Sequence, residues 1–265
     1  MKTETLVATI DQTDMSLIGK MNIQTDALIG NQCGRVSEET VYQNGNRIVY
    51  LNTAECGVGR NRNLLIERAT GDICICADDD MRFKDGYPEI AVKAFGECPD
   101  ADILLFNLIE KNPRRYINKK IMRVRRHNYA KYGAARMAFR REAVQTSGIS
   151  FNLSFGGGAR YGSGEDTVFL KECLDKGLRI YAVPYFLAEI DQEAASTWFS
   201  GHDVKFFRDK GALYACLHPV AWRAYIIRFV IRYRKKYSGE MTLMQAFKHM
   251  LAGGREYLSE AEAEE

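Results

Sequence analysis

The sequence predicts an α/β fold, a mainly parallel central sheet with helices on both faces, followed by a helical C-terminal extension. Three observations lead there. Strand-like apolar runs alternate with helical patterns through the first 110 residues. The run 73–77 is apolar at every position, as expected of a strand covered on both faces. Beyond about residue 203 only helical periodicity remains. At 265 residues the chain accommodates one α/β domain and an extension, which we place at 1–200 and 201–265.

Strands are read at 5–10 (TLVATI), 27–31 (ALIGN), 47–52 (RIVYLN), 72–77 (DICICA) and 102–107 (DILLFN), short runs rich in apolar and β-branched residues. Helical patterns at 15–22, 60–69 and 86–96 fill the intervals between them. The rhythm then changes to a basic segment, a short strand near 135–139 and a glycine-rich loop at 156–164. A helix at 166–176 ends at Gly177, and a strand follows at 179–183. The extension reads as helices at 204–216, 220–236 and 241–257. Pro219 suits a helix first turn. After it, Trp222, Ile226, Val230 and Tyr233 share one face, with Arg228, Arg232, Lys235 and Lys236 on the other. Two readings of that pattern stand: a helix packed on the α/β domain, or one lying in a membrane interface.

Composition narrows the classes. Hydrophobic residues at 46% and charged residues at 27% exclude a disordered chain. The 7 cysteines include no C-x-x-C pair, which argues against a zinc ribbon or thioredoxin-type site, and Cys74 and Cys76 read as buried strand thiols. Free thiols, no leader-like start and no apolar run of about 18 residues predict a cytoplasmic protein. Net charge is only +3, yet residues 111–141 hold twelve Lys or Arg and no acid. That segment is either a solvated face or a surface for phosphate or anionic lipid. It contains no recognised nucleic-acid module, so no nucleic-acid partner is expected.

Three constellations carry the chemistry. Asp78, Asp79 and Asp80 close the strand 72–77. They make either a solvated acidic turn or an oxygen-donor site for Mg²⁺ or Mn²⁺ shared with a diphosphate, and their place after a buried strand favours the second. Residues 57–63 (GVGRNRN) lead into a helix, where backbone N–H groups and Arg60 and Arg62 can bind phosphate or brace the carboxylates. It is not a Walker A loop. Residues 156–169 (GGGARYGSGEDTVF) place Glu165 and Asp166 at a helix start behind five glycines. An acid there is a cap or a general base aimed into a cleft.

Together these motifs resemble the inverting family-2 glycosyltransferases of GT-A fold. The resemblance rests on Gly57 and Gly59, Arg62-Asn63, Ala69-Thr70-Gly71-Asp72, the strand Ile73–Ala77, Asp78–Asp80 and, about 85 residues on, Glu165-Asp166 before apolar residues. It covers about residues 1–200. The chain departs at Thr9-Ile10-Asp11-Gln12 and Gly30-Asn31-Gln32-Cys33-Gly34, where the family contacts the nucleoside, and in this it is similar to bacterial cell-surface polysaccharide enzymes.

The resemblance implies a GT-A fold and transfer of a sugar from a nucleotide sugar, with UDP as the expected nucleotide, to a hydroxyl of a cell-surface glycan or lipid-linked precursor. Asp166 is the implied base, with Glu165 second. Thr9, Asn31, Gly57, Arg62, Asn63, Asp78 and Asp79 are the implied nucleotide-sugar contacts, and Asp78 and Asp80 the implied ligands of Mn²⁺ or Mg²⁺. Some GT-A enzymes take a metal ligand from a late histidine, but His202, after Trp198-Phe199, is read as a packing residue. An anionic membrane surface is an expected partner, and homo-oligomerisation is left open. The competing readings are an inactive subunit supporting a partner at the membrane and a nucleotidyltransferase. Intact Asp78–Asp80 and Asp166 oppose the first, and a stretch Thr9–Asp14 without Gly or Lys opposes the second.

Overall fold

The computed structural model of the chain describes residues 1–110, 116–191 and 201–264. Strand β1 (Thr3–Ile10) leads to helix α1 (Ser16–Lys20), β2 (Asp26–Gln32), β3 (Ser37–Gln43), β4 (Asn46–Thr53), α2 (Val58–Arg68) and β5 (Ile73–Asp78). Next come β6 (Met81–Phe83), α3 (Tyr87–Glu97), β7 (Ile103–Ile109), β8 (Met122–Arg123), β9 (Met137–Arg140), α4 (Arg141–Ser147), α5 (Glu165–Asp175) and β10 (Ile180–Ile190). Helices α6 (Val204–Leu217), α7 (Trp222–Arg232), α8 (Arg234–Tyr237) and α9 (Leu243–Glu264) complete the chain. No described helix is long and apolar enough to cross a membrane.

The strands form one sheet in the order β3-β4-β2-β1-β5-β9-β7-β10-β6, with β8 beside β10. Strands β4, β2, β1 and β5 are parallel neighbours, as are β7 and β10. Only β9 separates the two groups, and it runs antiparallel to both β5 and β7. The strands β4, β2, β1, β5, β7 and β10 therefore point one way and open their carboxyl ends together, the side on which such sheets bind ligands. Alternation sorts their side chains. Leu6, Cys74 and Cys76 enter one core layer, while Val7, Ile73, Ile75 and Ala77 enter the other. Burial pushes both strand thiols well above their ordinary range, which keeps them unreactive.

The structure adds β6, β8 and α4 to the sequence reading and departs from it in three further elements. Strand β4 is half of a hairpin with β3, turned at Asn44-Gly45, both with positive φ (52° and 82°). Strand β10 continues past Pro184 because its register against β7 shifts between Ala182 and Phe186, which frees the proline from the ladder. The expected helix 220–236 breaks at Tyr233 into α7 and α8.

In the extension, α6 and α9 pack almost backbone to backbone. A Cβ on Gly211 would lie 1.9 Å from the Met250 carbonyl oxygen, so no larger residue fits there. Trp222, Ile226 and Val230 of α7 are buried in the same cluster as Phe207 and Met250, with Tyr233 partly buried beside them. The aromatic face that was a candidate for a membrane interface is thus interior, and it packs on α6 and α9. The extension also meets the α/β unit. Ala212, Leu213 and Leu217 of α6 cluster with Phe155, Tyr161 and Val168, and Tyr257 of α9 packs on Phe155 and Tyr161. Arg160 is ion-paired with Glu256 and Glu260 of α9.

Candidate active site

The site lies at the carboxyl ends of β1, β2, β4, β5 and β10. Strand β5 ends in Asp78, and the turn into β6 presents Asp79 and Asp80. Asp79 accepts a short hydrogen bond from Thr9 at the end of β1. Partial desolvation, then the like charges of Asp78 and Asp79, push Asp80 up to about 6. Asp191, just past β10, adds to that crowding, and its N–H donates to the Asp80 carbonyl (2.8 Å). The sequence reading missed Asp191 because it ended the strand at Pro184. An acid at a strand's carboxyl end was the available signal, once the strand is extended.

Arg62 organises the rest. It sits on α2 with only 8% of its side chain exposed. Nη2 donates to Asp78 (2.7 Å), and Nη1 donates to Asp166 (2.8 Å) and, longer, to Glu165 (3.3 Å). The guanidinium lies over the Phe151 ring, 5.4 Å from its centroid. A buried cation needs such compensation, and three carboxylates around one planar fork give it. Burial opposes the charge, but the carboxylates, Asp78 first, outweigh it and hold Arg62 above its ordinary range. Of the two roles open to Arg62, phosphate contact or brace, the structure shows the brace.

The pair Glu165-Asp166 opens α5, where the helix N-terminus favours anions. The two acids differ. Both Glu165 oxygens are engaged, Oε1 by Arg62 and Oε2 by the Gly164 N–H (3.0 Å), and burial followed by the neighbouring Asp166 charge raises its pKa. Arg62 takes Asp166 Oδ1, leaving Oδ2. The glycine loop presses against both. A Cβ on Gly156 (φ 102°) would come within 2.8 Å of Val58 Cγ1 and 2.9 Å of Glu165 Cδ. Gly162 N–H donates to Asp209 of α6 (2.8 Å), and Lys210 contacts Ser163 (3.4 Å), so the extension holds the loop from behind.

Other expected contacts prove to be internal. Gly57 N–H donates to Gln32 Oε1 (2.6 Å), and Val58 N–H donates to the Gly157 carbonyl (2.9 Å). Two N–H groups expected to face phosphate are thereby used, and Arg60 pairs with Glu55 (2.8 Å). Asn63 clasps the Phe151 backbone by donating to its carbonyl (2.9 Å) and accepting from its N–H (2.6 Å). Its side chain holds the 149–152 segment against α2. Asn31 is buried, donates to Asn52 Oδ1 (2.8 Å) and the Gln12 carbonyl (2.9 Å), and accepts from the Gln12 N–H (3.0 Å). It shapes the 11–15 turn. His202 is bonded to Glu240 and packs edge-on against Phe206, as a packing residue does. Residues 111–115 of the basic segment and Trp198-Phe199 lie outside the described residues.

Among the described residues no three His, Cys, Asp or Glu side chains are gathered to hold a metal. The donors that remain are Asp80 and the oxygens of Asp78 and Asp79 not held by Arg62 and Thr9. All are hard oxygens under mutual repulsion, and they fit a hard divalent cation that completes its shell with water and phosphate.

Residues 36–156 match the model of Glycosyl transferase family 2. The matched segment contains Arg62 and Asp78–Asp80 and stops short of Glu165. No curated protein sequence matches the chain. Among solved structures the fold is similar to S. aureus TarS 1-349 in complex with UDP-GlcNAc, at a TM-score of 0.66 and 14% identity over 96% of this chain and 80% of that one. The complex of the same protein with UDP gives a TM-score of 0.63 and 15% identity, covering 96% and 81%. Residues 36–156 thus carry a family-2 glycosyltransferase segment, set in a fold similar to that of S. aureus TarS.

Proposed function

We propose that the enzyme moves a sugar, with inversion, from a UDP-sugar to a hydroxyl of a cell-surface glycan or lipid-linked acceptor, with Asp166 as the base. One observation carries this reading: Arg62 joins Asp166 to Asp78 across 88 positions of sequence, setting the base and the strand-end acids on one guanidinium. Inversion needs a proton acceptor on the face of the sugar opposite the leaving diphosphate. Asp166 Oδ2 is the oxygen available to take the acceptor's proton, while Glu165, with both oxygens engaged, positions the loop and the helix start. Arg62 fixes the rotamer of Asp166 and keeps three acids from repelling one another. UDP is supported by the complexes of S. aureus TarS with UDP-GlcNAc and with UDP. Asp80, with the spare oxygens of Asp78 and Asp79, would hold Mn²⁺ or Mg²⁺. When bound, that ion supplies Lewis-acid stabilisation of charge on the leaving diphosphate.

A panel of nucleotide sugars tests the reading through nucleotide release, with Mn²⁺ and with EDTA. The expected result is turnover of a UDP-sugar that EDTA suppresses. Turnover of GDP- or dTDP-sugars alone would overturn UDP, and equal rates with EDTA would overturn the metal.

A further inference from the structure

With Trp222, Ile226 and Val230 turned inward, α7 presents its opposite side to solvent, and that side is not simply polar. Ile227 and Ile231 are 47% and 62% exposed, and Val220, just before the helix, is 97% exposed. Ala224, Ile227 and Ile231 recur at spacings of three and four, so they form one apolar stripe. Arg223 flanks it on one side and Arg228 and Arg232 on the other. Arg234, Lys235 and Lys236 of α8 continue the positive charge. Residues 220–239 contain no Asp or Glu, and among the described residues none of the six cations is ion-paired with a carboxylate.

We infer that this outer face of α7 and α8 docks the enzyme on an anionic lipid surface, with Ile227, Ile231 and Val220 entering the headgroup layer and the six cations meeting lipid phosphates. Charge complementarity selects the partner, because an apolar stripe bordered by unpaired arginines matches a surface with anionic headgroups above hydrocarbon. A single-stranded nucleic acid would instead need free aromatic faces for stacking, and on α7 Trp222 is buried while Tyr225 is already stacked on His218 (3.8 Å between centroids). The inference does not depend on the identity of donor or base.

The test is co-sedimentation of the full chain with vesicles of phosphatidylcholine alone, or with about 30% phosphatidylglycerol added. The enzyme should pellet with the anionic vesicles and leave the neutral ones, and raising salt to about 0.5 M should release it. Ile227→Ser with Ile231→Ser, and separately Arg228→Gln with Arg232→Gln, should each weaken binding roughly tenfold or more. Both variants should keep the parental melting temperature and nucleotide release in solution, because the changed side chains are exposed. Equal binding to neutral vesicles, or variants that pellet like the parent, would overturn the inference. So would a dimeric parent that ignores vesicles and becomes monomeric with the Ile227→Ser and Ile231→Ser changes, or a parent that binds RNA and not vesicles.

Discussion

Arg62 is the residue on which most of the site depends. It pairs with Asp78, Glu165 and Asp166 while itself almost excluded from water. Arg62→Met would leave three carboxylates facing one another, and breaking a buried pair of this kind costs about 3–5 kcal/mol. Urea unfolding of the variant should show a loss of that size together with loss of nucleotide release; an unchanged midpoint would contradict the brace. Asp80 adds a pH dependence. Its carboxyl is raised to about 6, so the folded protein holds a proton there that the unfolded chain gives up at about 4. Its contribution to stability is therefore most unfavourable above pH 6 and is relieved as pH falls from 6 towards 4. A proton and a cation compete for the same oxygens, so Mn²⁺ affinity measured by calorimetry should weaken as pH drops through 6. Constant affinity from pH 7.5 to about 5.5 would exclude Asp80 as a ligand.

At the scale of elements, the glycine loop is what aims α5. Gly156→Ala must strain a backbone at φ 102° and push on Glu165, at a cost of about 1–3 kcal/mol. Nucleotide release should fall in that variant while the UDP dissociation constant stays parental, since the loop faces the acids rather than the strand ends; parental release would show that the loop does not set their position. Much of this layout was legible in the sequence. The strands 5–10 and 72–77, the acids at the end of β5 and the helix behind Glu165-Asp166 follow from apolar runs, charge and glycine spacing. What was not legible has physical reasons. Strand β3 is polar and exposed on the sheet edge, so it lacks the alternation that marks a strand, although Asn44-Gly45 announced its turn. Asp191 hid behind Pro184. The Asn63 clasp and the Gln32 bond to Gly57 are pairings between distant segments, which no local pattern contains.

At the scale of the molecule, the extension serves the site from behind. Tyr257 lies about a hundred residues after Phe155 and Tyr161, and its ring packs on both. Tyr257→Ala should lower stability by on the order of 2 kcal/mol. It should also lower nucleotide release, because the loop leading to Glu165 and Asp166 loses its support. Full activity in a destabilised variant would mean that the extension is only attached to the catalytic unit. On the proposed mechanism Asp166, held by Arg62 opposite the strand-end acids, takes the acceptor's proton. Asp166→Asn keeps the shape and a hydrogen-bonding oxygen for Arg62 but removes proton acceptance. The deciding measurement is sugar transfer and UDP affinity in Asp166→Asn beside Glu165→Gln and the parent. We expect transfer in Asp166→Asn to fall by roughly two to four orders of magnitude with UDP affinity unchanged, and less in Glu165→Gln. Near-parental transfer by Asp166→Asn would contradict the account.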